Sequence, residues 1–344
     1  MAFTDLIPLE EIRAARDRIK GSAIRTPLVR LNVDDAPAEI FLKLENLQPI
    51  GSFKLRGAGN AIALAGVRAI HESPLHESPL HESPLHESPL HESPLTGVYT
   101  ASAGNMAQGV AWNARRLGIP CTAIVPDHAP EAKLAAITRL GGKIIKVTFD
   151  EWWQIIITHK YEGLEGLFIH PVSDAAVIAG NGTIGLEILE DLPDVEAIIV
   201  PYGGGGLSSG IGSAVRALKP DTKIFASEIE GAAPLAPSLA AGIPQEIKYT
   251  PSFVDGIGSG GLLPDMWPLV SKLLDGSLVV SLAETAAAIK LMIERNRVVA
   301  EGAGGTSVAA ALAGKAGRGK VVAVVSGGNI DSAKLVKILK GEVP

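Results

Sequence analysis

Short runs of β-branched and apolar residues alternate along this chain with longer segments whose apolar positions recur every three or four residues. That is the pattern of strand and helix units built around a mostly parallel sheet. It predicts strands at 97–102 (GVYTAS), 122–126 (TAIVP), 143–147 (KIIKV), 197–201 (AIIVP), 223–228 (KIFASE) and 321–326 (VVAVVS). Helices are predicted over Asn105 to Leu117, Ala129 to Leu140, Leu207 to Leu218, Leu282 to Arg295 and Thr306 to Ala316. The fold class is α/β.

One segment departs from the pattern. Residues 71–95 read HESPL five times without variation, whereas the positions of a packed core each have a different environment. Proline at every fifth position breaks a continuous helix and withholds a donor from a sheet, so a surface loop of turn or extended structure is expected. A single copy would give a connection of ordinary length between Ile70 and Thr96. Five of the eight histidines lie in this array, each followed by glutamate. A proline-punctuated loop does not fix ligands in space, so no metal site is expected there.

Composition narrows the function. The 344 residues, 47% hydrophobic and 20% charged, suffice for one large or two compact domains and exclude a disordered chain. Acidic residues outnumber basic ones 37 to 31 and no dense Lys/Arg block appears, which argues against a nucleic-acid partner. No apolar run approaches the roughly 20 residues of a membrane span, so no membrane partner is expected. Cys121 is the only cysteine, which excludes an intrachain disulfide and a Cys-cluster metal site. The opening MAFTDLIPLEE lacks the basic start and apolar run of a signal peptide, and a cytoplasmic location is expected.

Three candidate sites fall at the carboxyl ends of predicted strands, where open α/β sheets bind ligands. Gly203, Gly204, Gly205 and Gly206 follow AIIVP and precede a helix at Leu207. Such a turn either lets backbone N–H groups converge on an anion such as phosphate or serves only as a flexible connection. It matches neither a Walker loop nor the spaced dinucleotide fingerprint. Ser102, Ala103, Gly104 and Asn105 again join strand to helix, either as caps or as a carboxylate-binding turn. Ser326 ends VVAVV before two glycines that allow close approach of a ring or backbone. Lys54, in Gly51-Ser52-Phe53-Lys54-Leu55-Arg56-Gly57, is either a solvated surface group or, if desolvated, an amine able to form a Schiff base.

Taken in order, GSFKLRGA, TASAGN, VPYGGGGL and VVSGGN, together with HPVSDAAVIAGNGTIGLEI at 170–188, resemble the fold-type II pyridoxal phosphate enzymes, and the threonine and serine dehydratases among them. The resemblance runs from about residue 8 to 340, interrupted by the HESPL array. It implies two open parallel-sheet α/β domains with the active site in the cleft between them: a large domain from 1–70 and 166–344, and a small substrate-gripping domain from 96–165. It further implies pyridoxal 5'-phosphate as cofactor, a homodimer, and β-elimination of threonine and serine to 2-oxo acids and ammonia. Lys54 would carry the cofactor and act as base, with Phe53 against the ring. Asn105 would meet the cofactor's 3-hydroxyl oxygen, Gly203 to Leu207 would hold its phosphate, and Ser326 would face the pyridine nitrogen. A serine there does not enforce ring protonation, which favours prompt elimination over a long-lived carbanion. Ser102, Ala103, Gly104 and Met106 would line the substrate carboxylate.

The chain also departs from that family. Ala103 stands where related racemases carry a second serine, so efficient racemisation is not expected. Met106 replaces the usual histidine and is expected to put an apolar group on the carboxylate side of the pocket. Glu228, Ala232 and Pro234 align with a divalent-cation site whose last carboxylate is missing, so at best a weak metal site is expected. Only fifteen residues follow Asn329, leaving no room for a regulatory domain, and feedback inhibition by isoleucine is not expected. Dehydratases of 3-hydroxyaspartate or phenylserine, and a cofactor-binding protein of poor activity, remain alternatives.

Overall fold

A computed structural model describes residues 3–71 and 95–344. Apart from its end residues His71 and Leu95, the expected HESPL loop lies outside the described residues.

Among the described residues, ten strands form two sheets. In chain order they are β1 (Leu28–Arg30), β2 (Glu39–Lys43), β3 (Val98–Ala101), β4 (Cys121–Pro126), β5 (Lys143–Val147), β6 (Leu167–Phe168), β7 (Ala197–Pro201), β8 (Lys223–Ile229), β9 (Gly276–Val280) and β10 (Lys320–Val324). The six-stranded sheet has the order β1-β2-β10-β7-β8-β9, and the four-stranded sheet the order β5-β4-β3-β6. Every pairing is parallel except β1 with β2. The chain's last strand is therefore central, with Val322 opposite Phe41 on one side and Ile198 on the other.

Alternation within the strands separates two cores. Val321 and Ala323 pack with Ile40, Leu42 and Ile199 on one face, while Val322 and Val324 pack with Ile198, Val200 and Ile224 on the other. Both faces are covered by helices, as a parallel sheet requires, and so the strands read as continuous apolar runs. The helix predicted from Thr306 begins earlier, as Gly302–Leu312. Its leading glycines permit that close packing: a Cβ on Gly302 would lie 2.8 Å from Val254 Cα, and one on Gly305 2.7 Å from Ile289 Cγ1.

Two contacts bear on the expected domain division. Strand β6 pairs with β3, so the small sheet continues past residue 165. The helix Lys54–His71 places Ala58, Ala61 and Ile62 in one apolar cluster with Val98, Met106 and Val110, so the segment after Lys54 contributes to the small sheet's core.

Candidate active site

A cavity of about 510 Å³ lies where the two sheets face one another, and Lys54, Asn105, Gly203 to Leu207 and Ser326 all line it. Four segments far apart in sequence are thus brought together.

The lysine segment is knitted to the end of β10. Phe53 N–H donates to Ser326 O at 3.0 Å and Gly328 N–H to Gly51 O at 2.9 Å, with a bridge between Ser52 and Gly327. Gly51 has φ +72°, and a Cβ there would lie 2.6 Å from Asn329 Oδ1, so the turn requires glycine. Lys54 opens its helix, half-buried, with Nζ donating to Pro171 O at 2.5 Å and lying 5.2 Å from the centre of the Phe53 ring. Burial lowers its pKa to about 8, against the opposing pull of Glu301. An amine so placed is readily deprotonated and can act as nucleophile or base.

Two positions behind Lys54, Arg56 is buried in a network of charges. Its Nε and Nη2 donate to Glu45 at 2.8 Å each, and its Nη1 to Glu187 at 2.7 Å. Lys43 Nζ donates to Glu187 at 2.6 Å and to Thr26 O at 2.6 Å. Two cations and two carboxylates balance one another and fix the first turn of the lysine helix.

At Ser102–Met106 the capping alternative does not hold. The helix Asn105–Arg116 has no side-chain cap. Ser102 Oγ instead accepts the Gly104 N–H at 3.2 Å, and Asn105 turns its amide to Glu301 and Asn329. The N–H groups of the first helical turn stay available to an anion. Met106 is 2% exposed and its side chain packs with Ala58, Val110, Ile169 and Val177. It also lines the cavity, so the apolar group expected there is a largely buried part of its wall.

The glycine turn caps the helix Gly206–Leu218 through Gly205, at φ +95°. A Cβ would lie 2.7 Å from Val172 Cγ2 at Gly204, 2.8 Å from Val270 Cγ1 at Gly205 and 2.9 Å from Val172 O at Gly206. No side chain fits, and the backbone N–H groups are exposed to an anion by the absence of one. The buried hydroxyls of Tyr202 and Ser209 flank the turn without a partner among the described residues. Burial raises the Tyr202 pKa, so its phenol remains a donor. A phosphate monoester fits this cradle, and the amine of Lys54 across the cavity fits the aldehyde of pyridoxal phosphate. Ser326 is 2% exposed and lines the same cavity.

Two residues here escaped the sequence reading. Glu301 accepts Asn105 Nδ2 through both oxygens, at 2.9 and 3.2 Å, and burial raises its pKa to about 7. Only the glycine at 327 leaves it room, since a Cβ there would lie 2.5 Å from Glu301 Oε1. His170 accepts the Val172 and Ser173 N–H groups at Nδ1 and donates to Ile156 O from Nε2, while burial lowers its pKa to about 3. It holds in place the Pro171 carbonyl that meets Lys54. The HP dipeptide within 170–188 was the available signal for His170; a lone glutamate before a glycine run gave none for Glu301.

Glu228 does not stand free for a cation. Its two oxygens accept the N–H groups of Leu235 and Ala236 at 2.9 Å each, and Ser277 Oγ donates to it at 2.5 Å. Among the described residues, no group of three His, Cys, Asp or Glu side chains could hold a metal ion.

The geometry has counterparts in known proteins. The chain is 40% identical over 339 residues to the L-threonine ammonia-lyase of Thermotoga maritima, covering 97% of this chain and 78% of that protein. It is 34% identical over 341 residues to the catabolic L-threonine dehydratase TdcB of Escherichia coli K12, covering 96% of each. Among solved structures, maize serine racemase superposes with a TM-score of 0.82 at 31% identity over 98% of both chains. Threonine deaminase isoform 2 of Solanum lycopersicum gives 0.78 at 30% identity, over 99% of this chain and 97% of that one. The profile of the pyridoxal-phosphate dependent enzymes matches residues 19–327, spanning the lysine segment, the asparagine turn, the glycine cradle and Ser326. With these residues gathered on one cavity of the two-sheet fold, the chain belongs to the pyridoxal-phosphate dependent enzymes, in their fold-type II architecture.

Proposed function

We propose that the chain is an ammonia-lyase that eliminates water from threonine and serine and releases 2-oxobutanoate or pyruvate with ammonia. The observation that carries this reading is the half-buried Lys54 amine, its pKa lowered to about 8, set across one cavity from a glycine cradle for phosphate and beside a helix start open to a carboxylate. The names of the relatives agree with it.

In this reading Lys54 bonds the cofactor and, once displaced by substrate, takes the α-proton. Phe53 packs on the ring. Asn105 donates to the 3-hydroxyl oxygen, with its amide orientation fixed because Glu301 accepts from Nδ2 and Asn329 donates to Oδ1. Gly203 to Leu207 hold the phosphate and Ser326 meets the pyridine nitrogen. Ser102, Ala103, Gly104 and the backbone of Met106 receive the substrate carboxylate. Bound pyridoxal phosphate supplies the electron sink that makes the α-proton acidic.

The reading includes two α/β domains closing on the substrate and a cytoplasmic homodimer. Supporting the latter are the single, buried and free Cys121 and the exposed apolar side chains of Val336, Leu339 and Val343 near the carboxyl terminus. The test is incubation of the cofactor-loaded enzyme with L-threonine and L-serine, measuring 2-oxo acid and ammonia. Stoichiometric release supports the reading. A borohydride-reducible cofactor adduct without either product overturns it.

A further inference from the structure

The cavity continues past the glycine turn into a side lobe of about 200 Å³. Gly203, Gly204, Val172 and Trp152 border both spaces, and the lobe itself is walled by Trp153, Ile156 and Leu263. None of residues 102–106 lines it. Residues 102–106 and Lys54 line the main cavity and not the lobe, so a substrate held there by its carboxylate and α-carbon leaves the lobe to its remaining substituent. Trp152 sits between two further rings, 5.8 Å from Phe149 and 6.3 Å from Trp153.

We propose that the lobe receives the β-substituent of the substrate, and that β-aryl-β-hydroxy amino acids, with phenylserine the simplest, are a substrate class of this enzyme. The proposal rests on the elimination reading above and names what that site takes.

Size and charge both bear on it. A cavity of about 150 Å³ lined by apolar side chains accepts benzene, so this lobe holds a phenyl ring, whereas the methyl group of threonine leaves most of it to water against aromatic walls. Aromatic walls favour a ring through tilted or offset contacts. An acidic substituent is disfavoured. No lysine or arginine lines the lobe, and the carboxylate at its mouth is Asp255, whose nearest cations are already engaged: Lys133 at 3.1 Å and Lys334 at 3.2 Å. His170, the remaining titratable side chain, spends both ring nitrogens on the backbone. A β-carboxylate entering the lobe would thus lose its water without gaining a cation of its own.

The reaction balances without an oxidant. The Cα–H and Cβ–O bonds break, the proton and hydroxyl leave as water, and a water molecule then hydrolyses the enamine to phenylpyruvate and ammonia.

The experiment compares kcat/KM of the cofactor-loaded enzyme for phenylserine, threonine and 3-hydroxyaspartate, by 2-oxo acid and ammonia release, with the variants Trp153→Ala and Leu263→Trp alongside. Phenylserine is expected at or above threonine. Trp153→Ala, which removes a wall, and Leu263→Trp, which fills the lobe, should each cut the phenylserine value about tenfold or more relative to threonine. The cofactor absorbance band, read in every variant, shows that the site remains loaded. Threonine turnover with phenylserine below one hundredth of it, equal shifts for both substrates in the variants, or a preference for 3-hydroxyaspartate would each overturn the substrate class while leaving the lyase standing. Absence of product from all three overturns the lyase reading and this proposal with it.

Discussion

Glu301 grips the amide of Asn105 with both carboxylate oxygens, at 2.9 and 3.2 Å, from the far side of the cavity, 196 residues away in sequence. The contact joins the helix that follows β3 to the helix that precedes β10. Burial is the main reason its pKa stands at about 7, with the negative charge of Asp255 adding to it and the Asn105 hydrogen bond opposing it.

That raised pKa has a sign. An acid whose folded pKa exceeds its ordinary value of 4.5 holds more protons folded than unfolded between pH 4.5 and about 7. Its contribution to stability is full below that window and is lost as pH rises through it. Denaturation of the cofactor-free protein at several pH values should show wild type losing stability relative to Glu301→Gln from pH 4.5 to about 7; a constant difference would show that Glu301 does not titrate there.

Arg56→Met leaves Glu45 and Glu187 buried with Lys43 as their only nearby cation. Removing one partner of such a network costs about 3–5 kcal/mol, because the charges left behind are dry. Arg56→Lys should cost as much or nearly so, since an ammonium cannot reproduce the forked contacts. Urea midpoints measure both, and losses below about 1 kcal/mol would contradict the network's geometry.

Gly205→Ala places a Cβ at φ +95°, against Val270. Strain of this kind costs about 1–3 kcal/mol, and the shift needed to relieve it moves the N–H groups of the phosphate cradle. Cofactor affinity, titrated by absorbance, should fall about tenfold or more.

Lys54→Ala should abolish ammonia release while retaining pyridoxal phosphate noncovalently through the glycine cradle. Mass spectrometry after borohydride reduction should find no adduct in the variant and one in the wild type. Turnover above about one hundredth of wild type would remove Lys54 from its role.

Met106→His buries an imidazole among Ala58, Val110, Ile169 and Val177, and without a partner it should cost about 1–3 kcal/mol of stability. Thermal and urea denaturation measure it. A neutral effect would indicate that the position opens to the cavity after all.

What the sequence made legible follows from where the forces are local. Central strands β4, β7 and β8 are apolar runs buried by helices on both sides, and their boundaries are read within a residue or so. β1, of three residues, and β6, of two, carry too little periodicity to stand out, and they exist because β2 and β3 offer them edges. The glycine cradle is legible because its conformation excludes side chains at Gly204, Gly205 and Gly206. Glu301 is not, because what raises its pKa is burial against Gly256 and Gly327, which no local pattern announces. Met106 is read in part: its place in the motif points to the cavity, which it lines, while most of its side chain is buried among Ala58, Val110, Ile169 and Val177.

The central position of β10 bears on how the molecule is made. Strand β2 finds its parallel partner in residues 320–324, and the Phe53 amide finds its acceptor in Ser326, so the amine at Lys54 is set in place by a segment synthesised long after it. Contacts spanning about 270 residues close slowly. A nascent chain stopped before β10 has the reactive lysine but not the surroundings that aim it. The geometry that aims the amine is therefore complete only once β10 has joined the sheet, and the lysine segment alone does not contain it.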